Sequence, residues 1–147
     1  MARLEVSGLD SLIADLDKLA TQTTQLQEDI LTAAADKVEP ALRRSIAAED
    51  LIRSGRLHLS IKRRKAKVDG VPIIRLGPVG EHHRYLPSPG RRGIVHAGYV
   101  GYIAEYGIKS RGIKGKNWLQ KGVTGSQNEA FDAADAVHEK YLKNNNL

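Results

Sequence analysis

The chain has 147 residues and a net charge of +6, and 41% of its side chains are hydrophobic, 27% charged and 5% aromatic. This length and balance predict one globular domain over residues 1–147 with a mainly aliphatic core, and they exclude an intrinsically disordered chain. Because there is no cysteine, disulfides, zinc–thiolate sites, iron–sulfur clusters and thiol catalysis are excluded, and no apolar run is long enough to cross a bilayer.

Apolar residues at helical spacing predict two helices in the first third of the chain. A short amphipathic helix is expected near 10–20, with Asp10 or Ser11 as its cap, and Thr21 to Thr24 interrupt the pattern. A stripe repeating every four residues, from Leu26 to Ile46, predicts a long helix near 24–48. Pro40 lies inside it, and because proline removes a backbone hydrogen bond, we expect a kink there or two helices meeting there.

A β-hairpin is predicted after Ser54-Gly55. Apolar and polar residues alternate from Leu57 to Ile61, as in a strand, and Asp69-Gly70 is typical of a tight turn. We therefore expect residues 57–68 and 71–79 to pair antiparallel. Pro72 implies that the second strand begins after it or lies at an edge.

The segment from residue 80 to residue 116 is rich in glycine, proline and basic residues. Residues 80–93 are interpreted as a loop, and 94–106 as a third strand ending in a helical turn, with a short helix as the alternative. Residues 107–116 are interpreted as a basic, glycine-rich loop. Extended loops are thus expected near 80–101 and 108–117, and loops of this length are usually functional or disordered.

The last helix is predicted from about 126 to 143, with Ser126 and Glu129 as a capping box and an apolar anchor before it at Trp118, Leu119 and Val123. Its inner stripe is expected to be Ala130, Phe131, Ala134, Val137 and Tyr141. The predicted core residues are Leu57, Ile61, Trp118, Leu119 and Phe131. The fold class is therefore α+β: a small antiparallel sheet packed against a long N-terminal helix and a C-terminal helix.

The charge is unevenly distributed along the chain. Residues 1–52 carry 5 basic and 10 acidic side chains, whereas residues 53–92 carry 11 basic and 2 acidic ones. The densest basic stretch lies within 62–67. Such a stretch indicates either contact with nucleic-acid phosphates or an acidic partner, or simply a solvated basic strand.

No catalytic or cofactor-binding constellation is found. The adjacent pair His82-His83 points apart on a strand and has no suitably spaced acidic ligand beyond Glu81, which argues against a metal site. Gly77-Pro78-Val79-Gly80 does not open a helix, so it is not a phosphate-binding loop. Glu105 stands alone in a basic region without a nucleophile or second carboxylate, which favours an ionic partner over catalysis. No enzyme activity, metal or cofactor is expected.

Several short motifs follow one another along the chain. They are Gly8-Leu9-Asp10, an Ala-rich helix, Ser54-Gly55-Arg56-Leu57 with Ser60-Ile61, Leu76-Gly77-Pro78, Tyr102-Ile103-Ala104-Glu105-Tyr106-Gly107 and Trp118-Leu119. In this order they resemble the neck or tail-completion (head–tail joining) proteins of long-tailed double-stranded DNA bacteriophages. The resemblance covers roughly residues 5–142, with Ser54 in place of a threonine and Ile108 in place of another.

This resemblance implies a structural virion protein that forms an oligomeric ring at the head–tail junction, as neck, tail-completion or tail-terminator protein. Its partners would be further copies of itself, adaptor or stopper proteins, tail-tube proteins and the DNA passing through the lumen. It would be made in the host cytoplasm and end in the virion, without a membrane. The acidic helices of one subunit are expected to face the basic strands of the next.

Two groups of residues are the candidate contacts. Those expected to contact DNA or an acidic partner are Arg53, Arg56, Lys62, Arg63, Arg64, Lys65 and Lys67. Those expected to dock subunits or rings are Arg84, Arg91, Arg92, Glu105, Tyr106, Lys109, Arg111 and Lys114.

Two alternative functions are weighed. A stand-alone nucleic-acid-binding protein is favoured by the basic hairpin but weakened by the absence of any aromatic residue in 53–84. A small hydrolase using Glu105 and a histidine has no support beyond the presence of those residues.

Overall fold

The computed structural model describes residues 9–51, 56–85 and 92–145, and it shows two layers packed on opposite sides of one long helix. Helix α1 (Leu9–Ala48) lies between the hairpin of β1 (Ile61–Val68) and β2 (Val71–Pro78) on one side and helix α4 (Trp118–Asn144) on the other. The predicted α+β class, with a small antiparallel sheet, a long N-terminal helix and a C-terminal helix, is thereby confirmed.

Helix α1 is continuous, so the predicted break at Thr21 to Thr24 is wrong, and two separate helices do not meet at Pro40. The hydroxyls of Thr21 and Thr24 donate to carbonyls one turn back, at 2.9 and 3.0 Å, which satisfies them inside a helix. Beyond Pro40, Leu42 and Ile46 are almost fully buried. This packing offsets the loss of one hydrogen bond, since tertiary contacts outweigh local propensity.

The hairpin is confirmed, but its first strand begins later than predicted. Residues 57–60 belong to a short helix, α2 (Arg56–Ser60), because Leu57, Ser60 and Ile61 are buried at helical spacing while Leu59 is exposed. Asp69 and Gly70 form the turn with positive φ angles, which fixes the register at Val68 opposite Val71. Pro72 lies within β2. Because the sheet has two strands, β2 is an edge strand, which confirms one of the two positions predicted for a strand that contains this proline.

Residues 80–93 are not all loop. Strands β3 (Glu81–Tyr85) and β4 (Arg92–His96) pair antiparallel, and helix α3 (Ala97–Tyr106) follows directly. The short-helix alternative is therefore correct for 97–106. The segment 107–116 also holds a minimal ladder, in which β5 (Gly107–Ile108) pairs with β6 (Ile113–Lys114) across a 3-10 turn.

Helix α4 begins at Trp118, eight residues before the predicted start, so Ser126 and Glu129 do not form a capping box. Ser126 is fully buried, and its hydroxyl donates to the Gly122 carbonyl at 2.8 Å, whereas Glu129 is exposed. Ala130 is buried as predicted, but Phe131 is 60% exposed and does not belong to the core. Phe131 points away because Ala130, one residue earlier, occupies the face toward α1.

The core lies where α1, α2, α4 and the base of the hairpin meet. Trp118 is 1% exposed, and its indole Nε1 donates to the Gly101 carbonyl of α3 at 3.1 Å. Leu119 is partly buried against this cluster. The fully enclosed residues around Trp118 are Leu42, Ile46, Leu57 and Ile61. Within the described ranges, no helix has the length and apolarity needed to span a membrane.

Candidate interaction surfaces

The inner face of the hairpin joins the basic strand to the acidic helix of the same chain. Arg63 pairs with Asp36 at 2.6 Å and with Glu39 at 2.5 Å, and Lys65 lies 3.2 Å from Glu28. The hydrogen bonds that Arg63 donates to Glu39 and then to Asp36 raise the pKa of Arg63 above its ordinary value. Two of the predicted external contacts, Arg63 and Lys65, are thus used within the subunit.

Glu39 is shared between two arginines, which fixes the angle of the hairpin against α1. Arg43 Nη2 contacts Glu39 Oε1 at 2.8 Å and also donates to the Ile61 carbonyl at 3.0 Å, where β1 begins. The acidic side of α1 is therefore neutralised by its own hairpin, in place of the neighbouring subunit's strands suggested by the charge distribution.

The outer face of the hairpin carries unpaired basic residues followed by an apolar tip. Side chains alternate along a strand, so Lys62 and Arg64 point away from α1, and Arg75 lies directly opposite Arg64. Toward the turn, Ala66 pairs with Ile73, and Val68 pairs with Val71. We call this surface the hairpin outer face: Lys62, Arg64, Ala66, Val68, Val71, Ile73 and Arg75.

Like charges directly opposite on a sheet repel one another. No ion pair of Arg64 or Arg75 is found among the described side chains, and Val68 and Val71 are 45% and 56% exposed. The hairpin outer face is therefore electrostatically and hydrophobically unsatisfied in the single chain.

Helix α4 presents a surface of the opposite sign. Between Gly122 and Glu139 it carries four acidic residues and no lysine or arginine. Phe131, Asp132 and Asp135 are exposed on the side turned away from α1. We call Phe131, Asp132 and Asp135 the helix outer face; it places an exposed aromatic ring beside two carboxylates.

Glu105 is a structural residue of the subunit, not a docking residue. Its side chain is 5% exposed, and its two carboxylate oxygens accept from the backbone amides of Leu119 and Gln120, at 2.6 and 3.2 Å. These amides belong to the first turn of α4, where no residue of the helix itself can accept them. The carboxylate also interacts favourably with the positive end of the helix dipole, so the lysine or arginine partner expected from the sequence is replaced by a helix N-terminus.

A tyrosine stripe forms a third surface on α3. Tyr99, Tyr102 and Tyr106 are 59%, 60% and 65% exposed, and the rings of Tyr102 and Tyr106 lie 4.9 Å apart. The turn that follows carries exposed Lys109, Arg111 and Lys114. Tyrosines beside basic residues are typical of protein interfaces and of surfaces that stack nucleic-acid bases.

Some predicted contact residues fall outside what the structure describes. Arg53 and Arg91 lie outside the described residues, and only the backbone is described for Arg56, Arg84, Arg92 and the pair His82-His83. Lys67 is exposed near the hairpin turn. Among the side chains that are described, no three His, Asp or Glu residues are grouped so as to hold a metal.

Arg75 and the helix outer face were missed by the sequence analysis. Arg75 could have been found, because the two-residue turn at Asp69-Gly70 fixes its register opposite Arg64. The exposure of Phe131 depends on which face of α4 packs against α1, and this face is centred on Gly122, Ser126 and Ala130.

The chain matches no protein-family model, no curated protein and no solved structure. Its function is therefore inferred from the residues and surfaces described above.

Proposed function

We propose that this chain is a structural subunit of an oligomeric ring at the head–tail junction of a long-tailed double-stranded DNA bacteriophage. As a neck, tail-completion or tail-terminator protein it joins the filled head to the tail around the DNA channel. The order in which the sequence motifs follow one another, from Gly8 to Leu119, supports this role. No catalytic centre is part of the proposal.

The observation that carries the proposal is the pair of unsatisfied outer faces on one chain. Exposed apolar side chains rimmed by polar ones mark interaction sites, and here the hairpin tip, the tyrosine stripe and Phe131 are exposed beside charged residues. Several separate surfaces suit a subunit that has neighbours beside it and further rings above and below. In this arrangement the tyrosine stripe, with Lys109, Arg111 and Lys114, is the surface for docking an adjacent ring.

The test is electron cryo-microscopy of virions, or of particles assembled in the producing cell, with and without the gene for this chain. A closed ring of the chain around the DNA channel is expected in complete particles. Without the gene, filled heads are expected to separate from tails, and supplying the wild-type chain is expected to restore joining.

Nucleic-acid binding by the free chain is the second candidate, and it is favoured by the exposed tyrosines beside Lys109, Arg111 and Lys114. It predicts DNA binding by the monomer that weakens steeply with salt, because released counterions drive such binding. Absence of the chain from particles, together with such binding, would contradict the ring and favour this second function.

A further inference from the structure

We propose that the hairpin outer face of one copy binds the helix outer face of the next copy. This head-to-tail contact deepens the proposed ring, on which it rests for its biological setting, by assigning the two surfaces that join neighbouring subunits. The occupant of each face is thus a second copy of this chain.

The two faces lie on opposite sides of the subunit. Glu28 and Glu39, which hold the hairpin, are eleven residues apart and fall on one side of α1. On the opposite side of α1, Leu26 lies close to Tyr141 of α4, and Ala41 lies close to Gly122 of α4. A contact between different surfaces on opposite sides repeats from copy to copy and closes into a ring when the rotation allows it.

The charges of the two faces are complementary. Lys62, Arg64 and Arg75 give the hairpin outer face three positive charges, and Asp132 and Asp135 give the helix outer face two negative ones. Apposition would relieve the repulsion between Arg64 and Arg75. Complementary charges of this kind chiefly fix the choice and orientation of a partner.

Apolar groups lie beside the charges on both faces. On the hairpin, Ala66 and Ile73 form the next pair on this face after Arg64 and Arg75, and Val68 with Val71 follows at the turn. On α4, Phe131 is followed one turn later by Asp135. A single aromatic anchor in an apolar patch, with charges around it, is the usual composition of an interface hot spot.

A second copy explains both faces, whereas DNA explains only one. A DNA backbone would suit Arg64 and Arg75, but Asp132 and Asp135 would repel it, and the exposure of Phe131 would be unexplained. Nor can the acidic side of α1 be the partner, because Glu28, Asp36 and Glu39 are occupied by Arg63 and Lys65 of the same chain.

The test is charge exchange between the faces, followed by sedimentation of the full-length chain up to about 1 mM, a concentration that detects even weak association. The hairpin-reversed variant carries Arg64→Glu and Arg75→Glu, and the helix-reversed variant carries Asp132→Lys and Asp135→Lys. Each variant alone is expected to associate at least about tenfold more weakly than wild type, because attraction becomes repulsion.

Association is expected to return in two ways. In a mixture of the two reversed variants, every contact between unlike variants brings opposite charges together. In the chain with all four substitutions, both faces are reversed, so copies of it again present opposite charges to one another. The matched control is Lys18→Glu with Lys37→Glu, which changes the net charge as much as the hairpin-reversed variant but on exposed positions of α1. Circular dichroism and Trp118 fluorescence check that every variant is folded.

Three results would overturn the inference: a wild type that stays monomeric throughout the concentration range, reversed variants that associate normally, or a loss that neither mixing nor the fourfold variant restores. Loss of DNA binding on reversing the hairpin, with association unchanged, would assign that face to nucleic acid. A ring in virions that tolerates both reversals would refute only this inference. Restored association by a chain that is absent from virions would refute only the proposed function.

Discussion

Glu105 shows how one carboxylate can organise two helices. It lies near the end of α3 and accepts hydrogen bonds from the amides of Leu119 and Gln120 in the first turn of α4. Within the motif from Tyr102 to Gly107, this buried acid has a folding role. The sequence predicts an ionic partner for this lone acid, and in the structure the start of a helix takes that place.

Replacing Glu105 should reduce stability without altering any surface of the subunit. Glu105→Ala leaves two partly buried amides without acceptors, so we expect a loss of about 1–2 kcal/mol in the free energy of unfolding. Glu105→Gln keeps one acceptor but loses the charge, and about 1 kcal/mol is expected. Urea unfolding followed by Trp118 fluorescence measures both.

The exposed Glu129→Gln is the control for Glu105, and it should change stability little because Glu129 does not cap α4. Equal stability of Glu105→Ala and wild type would contradict the capping role.

Glu49 and Lys121 tie the end of α1 to the first turn of α4 at 2.5 Å. The hydrogen bond from Lys121 lowers the pKa of Glu49 below its ordinary value of 4.5. A lowered folded-state pKa contributes stability above the unfolded-state value and loses it as the pH falls through the folded-state value. Glu49→Gln should therefore be less stable than wild type at pH 7, and the difference should disappear in acid.

Unfolding of wild type and Glu49→Gln at a series of pH values from 7 down to 2 tests this pH dependence, with Lys121→Met as the matched loss of the partner. A difference that stays constant over the whole pH range would show that the ion pair contributes nothing through its charge.

At the scale of elements, α1 and α4 approach closely at Gly122. A Cβ built there would lie 2.9 Å from Leu42 Cδ2 and 3.1 Å from Leu42 Cα, whereas at Gly125 it would meet nothing within 4 Å. Alanine favours a helix interior over glycine by about 1 kcal/mol. The two glycines of one helix should therefore respond to alanine in opposite directions.

We expect Gly125→Ala to stabilise the chain by about 0.5–1 kcal/mol, and Gly122→Ala to destabilise it by about 1–2 kcal/mol because overpacking outweighs propensity. Thermal unfolding of the two variants gives the comparison directly. Stabilisation by both substitutions would mean that α1 and α4 can separate without cost, which is incompatible with the tight packing at Leu42.

Much of this fold follows from local sequence signals. The long apolar repeat of α1 and the Asp69-Gly70 turn can be predicted from the sequence, because helix period and turn chemistry act over a few residues. The starts of α2 and α4 cannot be predicted in this way. Leu57 alternates like a strand but is buried as part of a helical turn, and α4 begins at Trp118 because a distant carboxylate caps it.

The candidate surfaces divide in the same way. The basic character of residues 62–67 is visible in the sequence, and the turn even predicts that Arg75 faces Arg64. That Arg63 and Lys65 are neutralised by α1 depends on contacts between residues 24 to 37 positions apart. Sequence alone therefore identified a basic segment but could not divide it into an inner, neutralised side and an outer, free side.

At the scale of the whole molecule, the three layers give the subunit two different sides. The middle layer, α1, contributes acidic residues to its contact with the hairpin and apolar residues to its contact with α4. Charges are therefore balanced between the layers and unbalanced on the two outer faces. Because the unbalanced faces differ, the proposed contact between them is directional, and contacts of this kind build rings or filaments rather than symmetric dimers.

Salt concentration should affect the charges on the two outer faces differently from the ion pairs between the hairpin and α1. Raising the salt from about 0.1 to 1 M shortens the screening length from about 10 to about 3 Å. Association through the outer faces should then weaken by about tenfold, because those charges are solvent-exposed. The unfolding midpoint of the chain should change little, because the Arg63 contacts of 2.5 and 2.6 Å are shorter than that length.

Phe131→Ser isolates the apolar part of the same contact. It removes the exposed ring but no charge, so association should weaken by a similar factor at both salt concentrations, and the dependence on salt should match that of wild type. Sedimentation of wild type and Phe131→Ser at each concentration measures both quantities. Association that strengthens with salt in wild type would show that apolar contact alone holds the copies together, and the charge complementarity of the two faces would then have no part in assembly.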